Sequence, residues 1–337
     1  MVAAAETDVA IIGAGPVGLF AVFQCGMLGL RCHVLDALGE VGGQCAALYP
    51  EKPIYDIPAF SRIDAAELIE RLREQAAAFV PVYHLGHPVE RLTPLANGRF
   101  RLETAAASVE AGAVVIAAGV GAFGPNRPPL PGIEGFEGTS VFYLVTRRES
   151  FRGRRVVIAG GGDSAVDWAL SLAEVADAVM VVHRRAKFRA APESVARLER
   201  LAVAGRVELV VPSQLHALEG EDGRLAAVVV DDLRGGTRRL AADVLLPFFG
   251  LTQELGPIAR WGVALDKHQI AVDPATAMSS VRGIFAIGDI ASYPGKLKLI
   301  LSGFAEAALA AHALFPLVRP GTALHWEYST TKGVPGR

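Results

Sequence analysis

Two glycine-rich loops in this chain can each cradle a dinucleotide, and the residues downstream give them opposite charge preferences. Gly13, Gly15 and Gly18 form G-x-G-x-x-G, with Pro16 inside it, between the apolar run DVAII (8–12) and a helical pattern from about Gly18 to Gly29. In such a loop the first glycine permits a tight turn, the second lets backbone approach a pyrophosphate and the third allows close helix packing. The helix N-terminus favours the anion. Asp36 ends the next strand pattern, CHVLD. A carboxylate there accepts hydrogen bonds from both ribose hydroxyls and repels a 2′-phosphate, so this site suits FAD or NAD and opposes NADP. Gly160, Gly162 and Ala165 give a second fingerprint, G-x-G-x-x-A, followed by Asp163 and Ser164 at a helix start and by AVMVVHRR. Here the strand ends in His183, Arg184 and Arg185, with Lys187 and Arg189 close behind. Guanidinium groups bind a phosphate dianion in bidentate fashion, which suits NADPH. The alternative, a solvated basic run, fits less well with a position at the end of the second strand. One FAD site and one NADPH site imply hydride transfer from nicotinamide to flavin and onward delivery of electrons. No metal-ligand spacing and no G-x-S-x-G elbow is present.

The elements needed to position these loops are legible. Each fingerprint lies in a strand–turn–helix–strand unit, the signature of parallel βαβ folding. Antiparallel patterns follow each copy: PVERLTPL and RFRLETA across Asn97-Gly98, then LHALEG and RLAAVVVDD near Asp222-Gly223, with a further turn at Gly235-Gly236. Each copy closes on an apolar strand, AVVIAAG in the first and DVLLPFFG in the second. The expected fold is α/β: two Rossmann-like, three-layer ββα dinucleotide-binding domains. The NADPH domain (122–247) is inserted into a discontinuous FAD domain (1–121 and 248–337), so that two chain crossings make a hinge. A helix is expected from Ala65 to Phe79. Asp64 and Glu67 form a capping-box-like start, and Leu68, Leu72, Ala76 and Phe79 form one apolar face. The Pro/Gly-rich stretch 127–138 reads as a linker.

Composition bounds the rest. A chain of 337 residues that is 51% hydrophobic and 20% charged suits two globular domains, and a net charge of −2 gives no global pull toward nucleic acid or anionic lipid. Three cysteines suit a reduced cytoplasmic protein. The N-terminus lacks a secretory pattern. The apolar run 297–318 is interrupted by Lys298, Gly303, Glu306, His312 and Pro316, and is expected to be a core helix, not a membrane span.

Both fingerprints, the HRR cluster and IFAIGDIAS (284–292) resemble the thioredoxin-reductase-like flavoproteins over essentially the whole chain. More narrowly, GGQCAALYPEKPIYDIPAF (42–60), GGGDSAVDWAL (160–170) and YPGKLKLILSGFAEA (293–307) look like ferredoxin–NADP⁺ reductases of the thioredoxin-reductase type. The resemblance implies that Asp36, Gln44, Tyr49, Val89, Phe123 and the Gly288-Asp289 pair contact FAD, with Tyr49 stacked on one flavin face. It implies that Tyr328, or alternatively His325, covers the other face, that Ser329 or Thr330 bonds the flavin, and that the chain is a homodimer.

The segment VFYLVTRRESF (141–151) carries no Cys-x-x-Cys. Where thioredoxin reductases place that pair, this chain has Tyr143 and Thr146, so a thiol relay through this segment is chemically excluded. Five residues after Cys45 stands Pro50, which removes the alternative paired-cysteine pattern. Cys45 is expected to be a small neutral filler near the flavin, and Cys25 and Cys32 inert. With no thiol relay, electrons must leave from the flavin itself. That suits the one-electron partners ferredoxin and flavodoxin. A quinone, ferric chelate or unusual disulfide is the alternative acceptor, and a non-catalytic redox sensor the alternative class. Arg147, Arg148, Arg152, Arg154 and Arg155 either steer an acidic partner or form a solvated run.

Overall fold

The computed structural model describes residues 4–324 and 333–334, with the side chains of 122–125 and 251–253 left aside. Contacts divide the chain into two units, 1–123 with 253–337, and 124–252, so the second is inserted into the first; the expected boundaries were 122 and 248.

The first unit begins with β1 (Ala5–Ile12), α1 (Pro16–Met27) and β2 (Cys32–Leu35), followed by the short α2 (Gly43–Ala47) and the small pair β3 (Pro53–Ile54) and β4 (Ile63–Asp64). Next come α3 (Ala65–Ala77), β5 (Val82–His84), the hairpin β6 (Arg91–Pro94) and β7 (Phe100–Glu103), and the long β8 (Ser108–Ile116). The strands order as β5-β2-β1-β8-β7-β6. The β1, β2, β5 and β8 pairings are parallel, and those of β6 with β7 and β7 with β8 antiparallel. The expected turn at Asn97-Gly98 closes the hairpin, with Gly98 at φ +78° and Asn97 Oδ1 accepting the Arg99 N–H. Strand alternation puts Val9, Ile11 and Val115 into one core and Ala10, Ile12, Val114 and Ile116 into another, so both sheet faces are buried, as a parallel sheet requires.

Helix α3 keeps the expected apolar face at Leu68, Leu72 and Ala76 but stops at Ala77. The capping-box expectation fails. Asp64 is the N-cap, yet its carboxylate makes no cap hydrogen bond and accepts from Arg62 instead. Phe79 lies past the helix, its ring edge-on to Phe23.

The chain passes between units in β9 (Ala122–Pro125) and β17 (Leu251–Glu254). Within the second unit lie β10 (Arg155–Ala159), α4 (Asp163–Leu172), β11 (Ala178–Val182), α5 (Pro192–Val203) and β12 (Glu208–Val210). An antiparallel sheet of β13 (Ser213–Glu221), β14 (Arg224–Asp232) and β15 (Thr237–Ala241) follows, then β16 (Val244–Pro247). Its parallel sheet has the order β12-β11-β10-β16, the same permutation as β5-β2-β1-β8. One design is used twice. Asp222 and Gly223, both at positive φ, close the β13–β14 hairpin as the sequence expects.

Back in the first unit, β18 (Leu265–Asp266), β19 (Gln269–Ala271) and β21 (Ala291–Ser292) form a small sheet, and β20 (Ile284–Ala286) joins β8 in parallel. Helix α6 (Ile300–Val318) is long and apolar enough to cross a membrane. It instead packs Ala307, Ala310, Ala311, Leu314 and Phe315 onto the core beside α1. Its end is tied to β1, where Arg319 donates to both oxygens of Asp8 at 2.7 and 2.8 Å.

Candidate functional site

The three glycines of the first fingerprint differ in what surrounds them. A Cβ on Gly13, which has φ +110°, would stand 2.3 Å from the Ala117 carbonyl oxygen, and one on Gly18 would stand 1.9 Å from the Gly13 carbonyl oxygen. Those two glycines let the loop, α1 and β8 close on one another. A Cβ on Gly15 would meet only the Gly43 Cα, at 4.0 Å. Gly15 therefore faces space that the protein does not fill, which is where the fingerprint leaves room for a pyrophosphate. Gly15 caps α1, which has no side-chain cap and no acidic residue in its first turn, so its N–H groups are left for an anion.

That space opens into a cavity of about 540 Å³ lined wholly by the first unit. It is of the size that holds a cofactor. Gly13, Gly15, Pro16, Asp36, Gln44, Tyr49, Val89, Gly288 and Asp289 all line it, from segments scattered between residues 13 and 289. Gly18 is a packing residue behind it. The Phe123 side chain and residues His325, Tyr328, Ser329 and Thr330 lie outside the described residues.

Asp36 is fixed before any ligand arrives. Its Oδ2 accepts the Ala14 N–H at 2.6 Å and its Oδ1 the Leu38 N–H at 2.8 Å. Burial raises its pKa, against the lowering pull of these backbone N–H groups. The carboxylate retains acceptor capacity for a ribose hydroxyl. Asp289 is likewise raised by burial, with Lys298 and Lys296 pulling it down. Lys298 also lines the cavity, as does Trp261. The sequence reading missed both as site residues, because Lys298 counted only as a break in an apolar run and nothing local singled out Trp261. The residues fit FAD: an uncapped helix end and open Gly15 for the diphosphate, a half-buried carboxylate for unphosphorylated ribose, and an apolar aromatic wall for the ring.

Cys45 also lines the cavity. Burial pushes its thiol up to about 11, although the Tyr49 hydroxyl, donating to the sulfur, works the other way. It is a neutral thiol at physiological pH, the state expected of a filler. Cys25 and Cys32 are buried and free as well.

In the second unit the same glycine logic recurs. A Cβ on Gly160 would stand 2.7 Å from the Phe248 carbonyl oxygen, whereas one on Gly162 meets nothing within 4 Å. Gly162 caps α4, and Ser164 is exposed at that helix start. Asp163 Oδ1 accepts the Ala191 N–H at 2.9 Å, tying the helix to the loop after the basic cluster. Arg184, Arg185, Lys187 and Arg189 are exposed, and the Arg189 N–H donates to the Gly161 carbonyl at 2.7 Å. His183 departs from the expected arrangement. Its ring is buried beneath Gly161 and stacks on Phe188 at 5.5 Å. Burial, then the charges of Arg184, Arg189 and Arg185, lower its pKa, so it backs the loop as a neutral ring and does not join the cationic rim.

Tyr143, at the place of the missing cysteine, packs on the core of the second unit and donates its hydroxyl to Glu137 at 2.6 Å. The arginine run beside it is largely neutralised. Arg148 pairs with Glu174, Arg152 with Glu149, and Arg155 with Asp243 at 2.6 Å.

Comparison with known proteins agrees with this architecture. The model of the pyridine nucleotide-disulphide oxidoreductase family matches residues 7–312. A protein of Paramagnetospirillum magneticum named ferredoxin–NADP reductase is 66% identical over 331 residues, covering 98% of each chain. One of the same name from Rhodospirillum rubrum is 64% identical over 98% of this chain and 97% of its own. Among solved structures, thioredoxin reductase of Lactococcus lactis superposes with a TM-score of 0.81 at 23% identity, covering 93% of this chain and 99% of that one. The chain belongs to the pyridine nucleotide-disulphide oxidoreductase family.

Proposed function

We propose that this chain is a ferredoxin–NADP⁺ reductase: it takes hydride from NADPH onto FAD and delivers the electrons to ferredoxin or flavodoxin. The observation that carries the reading is the conjunction of a dinucleotide cavity with no thiol pair. The cavity is lined by the half-buried carboxylate of Asp36, and the segment that would hold the cysteines has Tyr143 and Thr146. Relatives of that name, similar over nearly the whole chain, support the same acceptor class.

FAD, when bound, supplies the conversion from a two-electron donor to one-electron acceptors. One NADPH and two oxidised ferredoxins yield NADP⁺, two reduced ferredoxins and one proton. The chain's residues bind and orient. Gly13, Gly15 and Pro16, at the α1 N-terminus, receive the diphosphate, Asp36 holds ribose, and Gln44, Val89, Phe123 and the Gly288-Asp289 turn complete the FAD site. By the resemblance to this family, Tyr49 would stack on the flavin, and Tyr328 or His325, with Ser329 or Thr330, all outside the described residues, would serve its other face. In the second unit Gly160, Gly162, Asp163 and Ser164 form the NADPH loop, His183 backs it, and Arg184, Arg185 and Arg189 take the 2′-phosphate. No side chain serves as general acid or base. The working form is a cytoplasmic homodimer; three buried free thiols suit a reducing compartment.

Anaerobic stopped-flow mixing tests this. NADPH is expected to bleach the oxidised flavin, and oxidised ferredoxin to restore its colour. Restoration by a quinone or disulfide alone would replace the acceptor, and a flavin that NADPH cannot bleach would make the chain a sensor.

A further inference from the structure

Glu306 is a buried carboxylate that the proposed chemistry does not use. It sits in the apolar helix α6, only 4% exposed. Burying a charge is unfavourable unless donors surround it, and an apolar pair usually serves stability as well or better. Here three donors converge. Oε2 accepts the Gly288 N–H at 2.7 Å, and Oε1 accepts the Tyr293 hydroxyl at 2.7 Å together with the buried Lys296 ammonium.

The chain is shaped to deliver them. In Tyr293-Pro294-Gly295-Lys296 the Lys296 N–H donates to the Tyr293 carbonyl at 3.1 Å and Gly295 has φ +81°. Proline second and a left-handed glycine third are the marks of a type II turn, and the turn returns both side chains to one oxygen. Helix α6 is held close enough to reach. A Cβ on Gly303 would lie 2.4 Å from Val17 and 3.3 Å from the Gly288 Cα. From β19, the Gln269 side-chain amide donates to the Asp289 carbonyl at 2.7 Å. The Gly288 N–H and the Asp289 C=O are thus pinned from two directions, while the Asp289 carboxylate is left in the cavity wall.

We infer that Glu306 is a positioning residue for the flavin cofactor: it sets the Gly288-Asp289 turn through the Gly288 N–H, and Tyr293 and Lys296 hold its carboxylate in place. The inference rests on the FAD reading of the cavity. It bears on Asp289, because the bond it makes fixes the Ile287–Gly288 peptide, which leads into that residue.

The test is FAD affinity, measured by titrating FAD into apoprotein made from wild type, Glu306→Gln, Asp289→Asn and the double variant, with the melting temperature of each apoprotein alongside. Glu306→Gln is expected to weaken FAD binding about 10–100-fold, as loss of a charge-assisted hydrogen bond does. With Asp289 already changed, the same substitution is expected to weaken it by clearly less, since the two act through one turn. Wild-type affinity in Glu306→Gln, or effects that multiply independently, would overturn the inference. Should Glu306→Gln fail to fold, Tyr293→Phe keeps the ion pair and removes one donor. It is expected to weaken FAD about 3–10-fold, and unchanged affinity would overturn the inference equally. Wild-type apoprotein that takes up no FAD would sink both this and the function above. Wild type that binds FAD but cannot reduce ferredoxin would sink only the function.

Discussion

A methyl group on Gly161 would lie 2.3 Å from both Cε1 and Nε2 of His183. Gly161 is one of the variable positions of its fingerprint, yet it is glycine because an imidazole from the end of β11 occupies the underside of the loop. Gly161→Ala is expected to lower stability by about 1–3 kcal/mol through overpacking and to raise the KM for NADPH. It should leave FAD content unchanged, since the FAD cavity is lined wholly by the other unit. Combining it with His183→Ala removes the clash, so the double variant should be more stable than the sum of the single losses predicts. Thermal melts of the three variants decide the matter.

The first fingerprint separates two glycines packed against backbone from one, Gly15, that borders open space. Gly13→Ala and Gly18→Ala drive a methyl into backbone carbonyl oxygens and are expected to destabilise even the apoprotein, by about 1–3 kcal/mol or more. Gly15→Ala meets no protein atom closer than 4.0 Å. Its apoprotein should melt within about 0.5 kcal/mol of wild type while FAD affinity falls about tenfold or more. Equal losses in all three apoproteins would show that Gly15 is a packing residue.

The fold was legible because its signals are local. Each βαβ unit announces itself within a few tens of residues, and each hairpin within a handful, at Asn97-Gly98 and Asp222-Gly223. The place of Asp36 in the cavity wall could be read because it follows from the end of one strand. Glu306 could not. Its three partners lie on a turn and a loop that only the folded chain brings to α6, and in sequence it was one more interruption of an apolar run. His183 was misread for a related reason. Adjacency to Arg184 and Arg185 suggested one cationic surface, but β11 ends at Val182 and the chain bends after it, so both arginines stay exposed while the His183 ring lies beneath Gly161. The Asp64 cap failed because a suitable residue type at the N-cap does not oblige its side chain to turn inward.

Arg184 and Arg185 come first among the exposed cations beyond β11, ahead of Lys187 and Arg189. Replacing both with alanine is expected to cut the preference for NADPH over NADH about 10–100-fold, almost entirely through the KM for NADPH. Steady-state kinetics with both nucleotides measure this, and an intact preference would move the phosphate site elsewhere.

Cys45→Ser bears on the choice between electron and thiol chemistry. The thiol sits near 11 because of burial, so it supplies no thiolate at pH 8. Serine keeps an acceptor for the Tyr49 hydroxyl. Ferredoxin reduction is expected to stay within about 3-fold of wild type, and the reduced enzyme should show no long-wavelength thiolate-to-flavin band at pH 8 in either form. A band that vanishes with the substitution would show that the thiol ionises beside the flavin.

The pairing of Asp8 with Arg319 gives the fold a defined acid sensitivity. Asp8 is 4% exposed, on the first strand, and closes the chain to the end of α6 through two bonds to Arg319 and a third from the Arg31 N–H at 2.9 Å. Burial pushes its pKa up, but the hydrogen bonds and charges of Arg319 and Arg31 outweigh that and leave it lowered. A carboxyl with a lowered folded-state pKa contributes its full stabilisation above the unfolded value of about 3.9 and loses it as pH falls through the folded value. Asp8→Asn should therefore cost about 1.5–3 kcal/mol near pH 7. The gap between variant and wild type should hold constant down to about pH 4–5, and close only at lower pH, where wild-type Asp8 takes up its proton and becomes as uncharged as asparagine. Denaturant melts of both proteins across this range would show it. A gap that is constant to the lowest pH would mean that packing at this position, and not its charge, ties β1 to α6.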